Sequence, residues 1–114
     1  MAFNESKWVD VDCVGEFTKN KYFGRFNLKP FLNHGERADA VRLSELYCRG
    51  IKENLDQRAF LSLVAFLKFH VVETDAAWFK DADGLSSYDE KPFYEIAEKL
   101  RELQTGDKKE EPAV

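Results

Sequence analysis

The sequence predicts an α+β domain, mainly α, with an N-terminal β-hairpin followed by about three helices, and three observations carry that prediction. Two stretches near the start alternate polar and apolar residues. Two asparagines stand as caps before apolar segments at helical spacing. A proline opens a last amphipathic segment that stops at a glycine.

From Lys7 to Val14, Val9, Val11 and Cys13 share one side and Asp10 and Asp12 the other, which is strand periodicity. Tyr22 to Leu28 alternates in the same way. Gly15 and the polar run Thr18 to Lys21 lie between them, so the two strands form a hairpin whose register Glu16 and Phe17 leave open. Pro30 ends the extended segment. Asn33, with Glu36 three residues on, has the form of a capping box, and a helix is expected from there until Gly50, with Ala40, Leu43 and Tyr47 in step and Leu46 one row over.

Asn54 with Gln57 repeats the cap spacing and opens the most apolar part of the chain, Phe60 to Val72, whose length favours a helix over a strand. On its wheel Phe60, Leu63, Val64, Leu67 and Val71 share a face, while Phe66 and Phe69 project from another. The following stretch, with Trp78 and Phe79 at its start and Asp81, Asp83, Gly84, Ser86 and Ser87 in its middle, reads as a loop. Pro92 suits the first turn of a last helix running to about Gln104, with Phe93, Ile96, Ala97, Leu100 and Leu103 as its stripe. Residues 1–106 are thus expected to form a single globular domain and 107–114 a disordered C-terminal tail with almost nothing to bury.

Composition narrows the function. The 114 residues suit one domain, and hydrophobic residues at 44% with ten Phe, four Tyr and two Trp supply ample core or binding surface. Seventeen basic against twenty-one acidic residues give a net charge of −4 with no basic block, which argues against nucleic acid as a partner. The start lacks the pattern of a signal peptide, and no apolar run is long enough to span a bilayer, so no membrane association and a cytoplasmic location are expected. Cys13 and Cys48 lack a CxxC neighbour and read as reduced thiols.

The residues from Phe79 to Glu90 place Asp81, Asp83, Gly84 and Glu90 at the third, fifth, sixth and twelfth positions of an EF-hand loop, but Phe79 occupies the position of the first carboxylate. A solvated acidic turn is the expectation, and no metal or other cofactor is predicted. His70, Glu73 and Asp75 do not share a helical face, and His34 and Asp39 lack a nucleophile or phosphate loop to complete a site. Nothing points to an enzyme. The surplus aromatics are more informative: Phe66, Phe69, Trp78 and Phe79 are the candidate partner-binding residues, on the alternatives that the domain's own elements cover them or that they line a groove for a partner segment.

Three pieces, YFGRFNLKPFL, ADAVRLSELYCRGI and VVETDAAWFKDADGLSSYDEKPFYEI, together covering Tyr22 to Ile96, resemble the tail assembly chaperones of long-tailed bacteriophages. The matching features are the aromatic–Gly–aromatic strand Phe23-Gly24-Arg25-Phe26, the apolar helix Phe60 to Val72, the turn Ala77-Trp78-Phe79, and the acidic turn Asp83 to Asp89 before the last helix. Thr74-Asp75-Ala76-Ala77 stands where the family carries a proline before the tryptophan. The resemblance implies a factor of the host cytoplasm that binds hydrophobic helical segments of the tape-measure protein, keeps it from aggregating and helps recruit tail-tube subunits. It implies no cofactor. The competing reading is a structural or adaptor subunit that stays in a virion or other complex, and homo-oligomerisation is left open.

Overall fold

The computed structural model describes residues 4–80 and 88–105. Strand β1 (Lys7–Val14) pairs antiparallel with β2 (Lys21–Leu28), with Val11 opposite Gly24 and Val9 opposite Phe26, so Val9, Val11 and Cys13 join Phe26 and Leu28 on one face. Trp8, Asp10, Asp12 and Val14 stand on the other face, as their alternation predicts. Helix α1 (His34–Tyr47) starts at the predicted capping box. Asn33 Oδ1 accepts from the Glu36 amide at 2.8 Å, and Glu36 Oε1 accepts from the Asn33 amide at 3.0 Å. Helix α2 (Leu55–His70) starts at the second cap, where Asn54 Oδ1 accepts from the Gln57 amide at 3.0 Å.

Two expectations are corrected between α2 and the last helix. The apolar run does not stay helical to Val72: α2 ends at His70, and β3 (Val71–Thr74) turns back to pair antiparallel with β2, giving the sheet order β1-β2-β3. Val71, Val72 and Thr74 are β-branched and better suited to a strand than to the end of a helix. The segment Ala77–Lys80, expected as loop, is the one-turn helix α3. The last helix, α4 (Lys91–Thr105), lies where predicted. The EF-hand-like residues Asp81, Asp83 and Gly84, and the tail expected to be disordered, lie outside the described residues.

Strand β3 is short, and side chains extend its work along β2. Thr74 Oγ1 donates to the Arg25 carbonyl at 2.8 Å, Asp75 Oδ1 accepts from the Arg25 amide at 3.0 Å, and the Trp78 indole donates to the Phe23 carbonyl at 3.2 Å. Ala76 is thereby pressed against β2 at Gly24, where a Cβ would lie 2.6 Å from that of Ala76. Only glycine admits this approach, so the aromatic–Gly–aromatic pattern has a packing reason. The core gathers between the sheet and helices α2 and α4, around Val11, Phe26, Leu28, Phe60, Val64, Leu67, Phe79, Phe93, Ile96 and Leu100, while α1 packs along α2.

Candidate interaction surface

Of the four candidate partner-binding residues, Phe79 is a core residue. It is 3% exposed, its ring meets Phe26 edge-on at 5.5 Å and lies 6.1 Å from that of Phe93, and the Lys68 ammonium sits 4.4 Å above its centre while donating to the Phe79 carbonyl at 2.9 Å. Little of its surface is left for a partner. The reason is α3: a single helical turn after β3 directs Phe79 inward, which a loop reading could not foresee. Trp78 is half-buried, with Tyr22, Phe26 and Phe93 edge-on around it at 5.2, 5.6 and 5.8 Å. Those contacts and the indole hydrogen bond make it a structural joint between β2, α3 and α4.

Phe66 and Phe69 are both half-buried. They lie on the side of α2 that carries Ser62, whose hydroxyl is 2.6 Å from that of Ser44 on α1. Helix α1 therefore packs along the row that the wheel left without a partner. Phe66 also borders a cavity of about 90 Å³ between Pro30, Phe31, Arg37, His70 and Gln104. Of the two alternatives left by the sequence, cover by the domain's own elements describes most of this row.

Among the described residues the most exposed large aromatics lie elsewhere, at the closed end of the hairpin. Phe17 in the turn is 74% exposed, Phe23 on the outer face of β2 62%, and Tyr88, just before α4, 79%; Val14 at the end of β1 is exposed beside them. In the sequence Phe23 falls in a strand, Phe17 in the turn of the hairpin and Tyr88 in the acidic turn before the last helix. The available signal was alternation: Phe23 falls on the polar phase of β2, between Lys21 and Arg25.

Two carboxylates fasten this end to the body. Asp89 is 1% exposed and accepts hydrogen bonds from the Phe17 amide at 2.7 Å, the Thr18 amide at 3.1 Å, the Thr18 hydroxyl, and the Tyr22 hydroxyl at 2.7 Å. Burial pushes its carboxyl up, but the Thr18 and Tyr22 hydroxyls and the two amides outweigh that and hold its pKa at about 2. In return Glu16 in the turn accepts from the Glu90 and Lys91 amides at 3.1 and 3.2 Å, where α4 begins. Negative charge at that helix start meets unpaired N–H groups and the positive end of the helix dipole. Gly15 is required here as well, because a Cβ would lie 2.2 Å from Asp89 Oδ2. Asp89 is thus a buried structural acceptor, correcting the expectation of a solvated acidic turn at this residue.

Several other titratable groups are engaged structurally. His70, buried at the end of α2, lies with Nδ1 2.8 Å from the Lys29 carbonyl. Burial pushes its pKa below the ordinary value, against the opposing effect of that hydrogen bond. Asp75 is bonded to β2, Asp39 pairs with Arg42, and both cysteines are free thiols, with Cys13 pushed up by burial and by Glu95. Among the described residues no three His, Cys, Asp or Glu side chains converge as a metal site, and no helix is long and apolar enough to cross a membrane. What the arrangement offers is contact surface: aromatic side chains projecting from a rigidly clasped corner. Compared with known proteins, the chain matches no family model, no curated protein and no solved structure.

Proposed function

We propose that this protein is a phage tail assembly chaperone, acting in the host cytoplasm by binding rather than catalysis, that holds hydrophobic helical segments of a tape-measure protein and helps recruit tail-tube subunits. The observation that carries the reading is the exposure of Phe17, Phe23 and Tyr88 at one end of a domain whose core is already filled. Aromatic side chains left in water on a rigid support are suited to anchor a partner, and an amphipathic helix supplies complementary apolar positions at i, i+3 and i+4. The resemblance over Tyr22 to Ile96 supplies the kind of partner.

The test is co-expression with a tape-measure protein, recovery of the complex, and thermal melting of each variant. Phe17→Ser, Phe23→Ser and Tyr88→Ser are expected to melt like the parent and together to lose the partner, each removing a contact worth about 2 kcal/mol at a hot spot. Phe66→Ser and Phe69→Ser are expected to lower the melting temperature, because α1 packs along that side of α2. The reverse pattern, partner lost only with Phe66 and Phe69 at an unchanged melting temperature, would place the binding surface on α2. A chaperone is also expected to be absent from finished particles by mass spectrometry; its stoichiometric presence would identify a structural or adaptor subunit instead.

A further inference from the structure

The sheet ends in two edges that differ. At one, β3 is four residues long with an irregular register, and beyond it the chain is held to β2 by the Thr74 and Asp75 side chains in place of a regular ladder. At the other, β1 is eight residues long, regular throughout, and among the described residues pairs only with β2. Helix α4 packs on β1, whose Val9, Val11 and Cys13 face inward to the core, so among the described residues the far edge has no paired strand and the outer-face side chains are exposed. A long regular edge presents unpaired amides and carbonyls to any extended chain of suitable sequence.

The outer face of β1 reads Trp8, Asp10, Asp12, Val14: two carboxylates at alternate positions between two exposed apolar side chains. On the β2 side, Asp10 meets Arg25 at 3.4 Å and Asp12 meets Lys21 at 3.6 Å. All four side chains are more than half exposed, so neither acid is consumed by its pair. These charges act against a second copy of this chain. In an antiparallel β1–β1 pairing with both outer faces on the same side, the two registers of greatest overlap set Asp10 against Asp10 or Asp10 against Asp12, and like charges directly opposite are destabilising. The same charges favour a strand that brings cations to those positions.

We infer that the free edge of β1 accepts an extended segment of a partner protein carrying lysine or arginine at two alternate positions flanked by apolar residues. The added strand supplies main-chain hydrogen bonds, and its cations extend the Arg25–Asp10 and Lys21–Asp12 pairs into ladders across three strands. The negative charge of the chain, −4 overall, also draws such a segment in. This edge adjoins the aromatic corner at Val14 and at Asp12, which faces Phe23, but the inference rests on the edge and its charges and stands whether or not the chaperone reading holds.

The test titrates the protein with three synthetic ten-residue peptides, while amide hydrogen exchange is followed by NMR. One has lysine at two alternate central positions among valines and threonines; one has glutamate in place of lysine; one is the lysine peptide with alternate backbone amides methylated along one edge. The lysine peptide is expected to bind and protect alternate amides of β1, the glutamate peptide to bind about tenfold more weakly or worse, and the methylated peptide to lose the protection. The double variant Asp10→Lys, Asp12→Lys, altered only at exposed positions, is expected to reverse the preference. If that variant does not fold, the three peptides on the parent protein decide. Failure of the lysine peptide to protect β1, equal protection by the methylated peptide, or protection of β1 that grows with protein concentration alone would each overturn the inference.

Discussion

Helices α1 and α4 begin in opposite ways. The start of α1 is satisfied from within: Asn33 and Glu36, three residues apart, exchange side-chain hydrogen bonds with each other's amides. The start of α4 is satisfied from across the domain, by Glu16 in the hairpin turn, 74 and 75 residues from the amides it accepts. The chemistry is the same in both, a side-chain oxygen meeting N–H groups that have no partner within the helix. The consequence differs. A local cap sets where a helix begins; a distant one also sets where the helix stands, and here Asp89 adds the reciprocal tie from the α4 side to the turn.

The sharpest way to break this contrast is Asp89→Ala, which leaves the Phe17 and Thr18 amides and the Thr18 and Tyr22 hydroxyls without their buried acceptor. The expected fall in melting temperature is about 10 °C or more, with loss of protection in both the turn and the first turn of α4. The pH dependence has a definite sign. In the unfolded chain the carboxyl takes up a proton near its ordinary value of 3.8, and in the folded protein only near 2. Its contribution is therefore complete above pH 3.8 and is lost as pH falls through about 2. Parent and variant are expected to converge over that interval in acid melts; a constant gap would mean that Asp89 acts through packing alone.

Gly15→Ala attacks the same clasp without touching a charge. The added methyl enters the space of a buried carboxylate, and a destabilisation of about 1–3 kcal/mol is expected from overpacking. In the Asp89→Ala background the clash has nothing to meet, so most of that cost is expected to disappear in a double-mutant cycle. Additive effects would show that Gly15 is constrained by something other than Asp89.

These ties mark the boundary of what the sequence could disclose. The hairpin, both asparagine caps and the stripe of α4 were legible because each is written in residues no more than a few positions apart. Strand β3 was not, because Val71 and Val72 continue the apolar run of α2 and only tertiary pairing with β2 separates them. Phe79 and Asp89 were read by their neighbours, as a loop aromatic and an acidic turn; their burial depends on α3 and on the hairpin turn, remote in sequence or formed by a single turn of helix. At the interaction surface the exposed Phe23 was visible as an aromatic out of phase in its strand, whereas Phe17 and Tyr88 had no periodic frame.

Smaller effects refine the comparison. Asn33→Ala is expected to cost about 1 kcal/mol and to fray only the first turn of α1. Glu16→Ala is expected to cost about 0.5–1 kcal/mol, yet to increase amide exchange in two places at once, at the start of α4 and in the hairpin turn. Chemical denaturation gives the energies and hydrogen exchange the spread. Fraying confined to α4 would make Glu16 an ordinary cap, and the distinction between local and distant capping would fail.

The smallest expected effect has the opposite sign. Lys19 in the hairpin turn holds φ at 64°, the left-handed region, while its amide donates to the Gly15 carbonyl at 3.2 Å. Its side chain is exposed, so the conformation is imposed by the backbone of the turn and not by any contact of the lysine that the core requires. Glycine adopts this region freely, and Lys19→Gly is expected to stabilise the protein by about 0.5–1 kcal/mol, net of the greater freedom glycine gives the unfolded chain. The gain depends on the clasp, because Asp89 holds the neighbouring Phe17 and Thr18 amides and so keeps the turn in this shape. In the Asp89→Ala background the turn can relax and the gain is expected to shrink toward zero. A glycine that stabilises both backgrounds equally would show that the turn keeps its shape without the distant carboxylate, and that the clasp follows the turn instead of setting it.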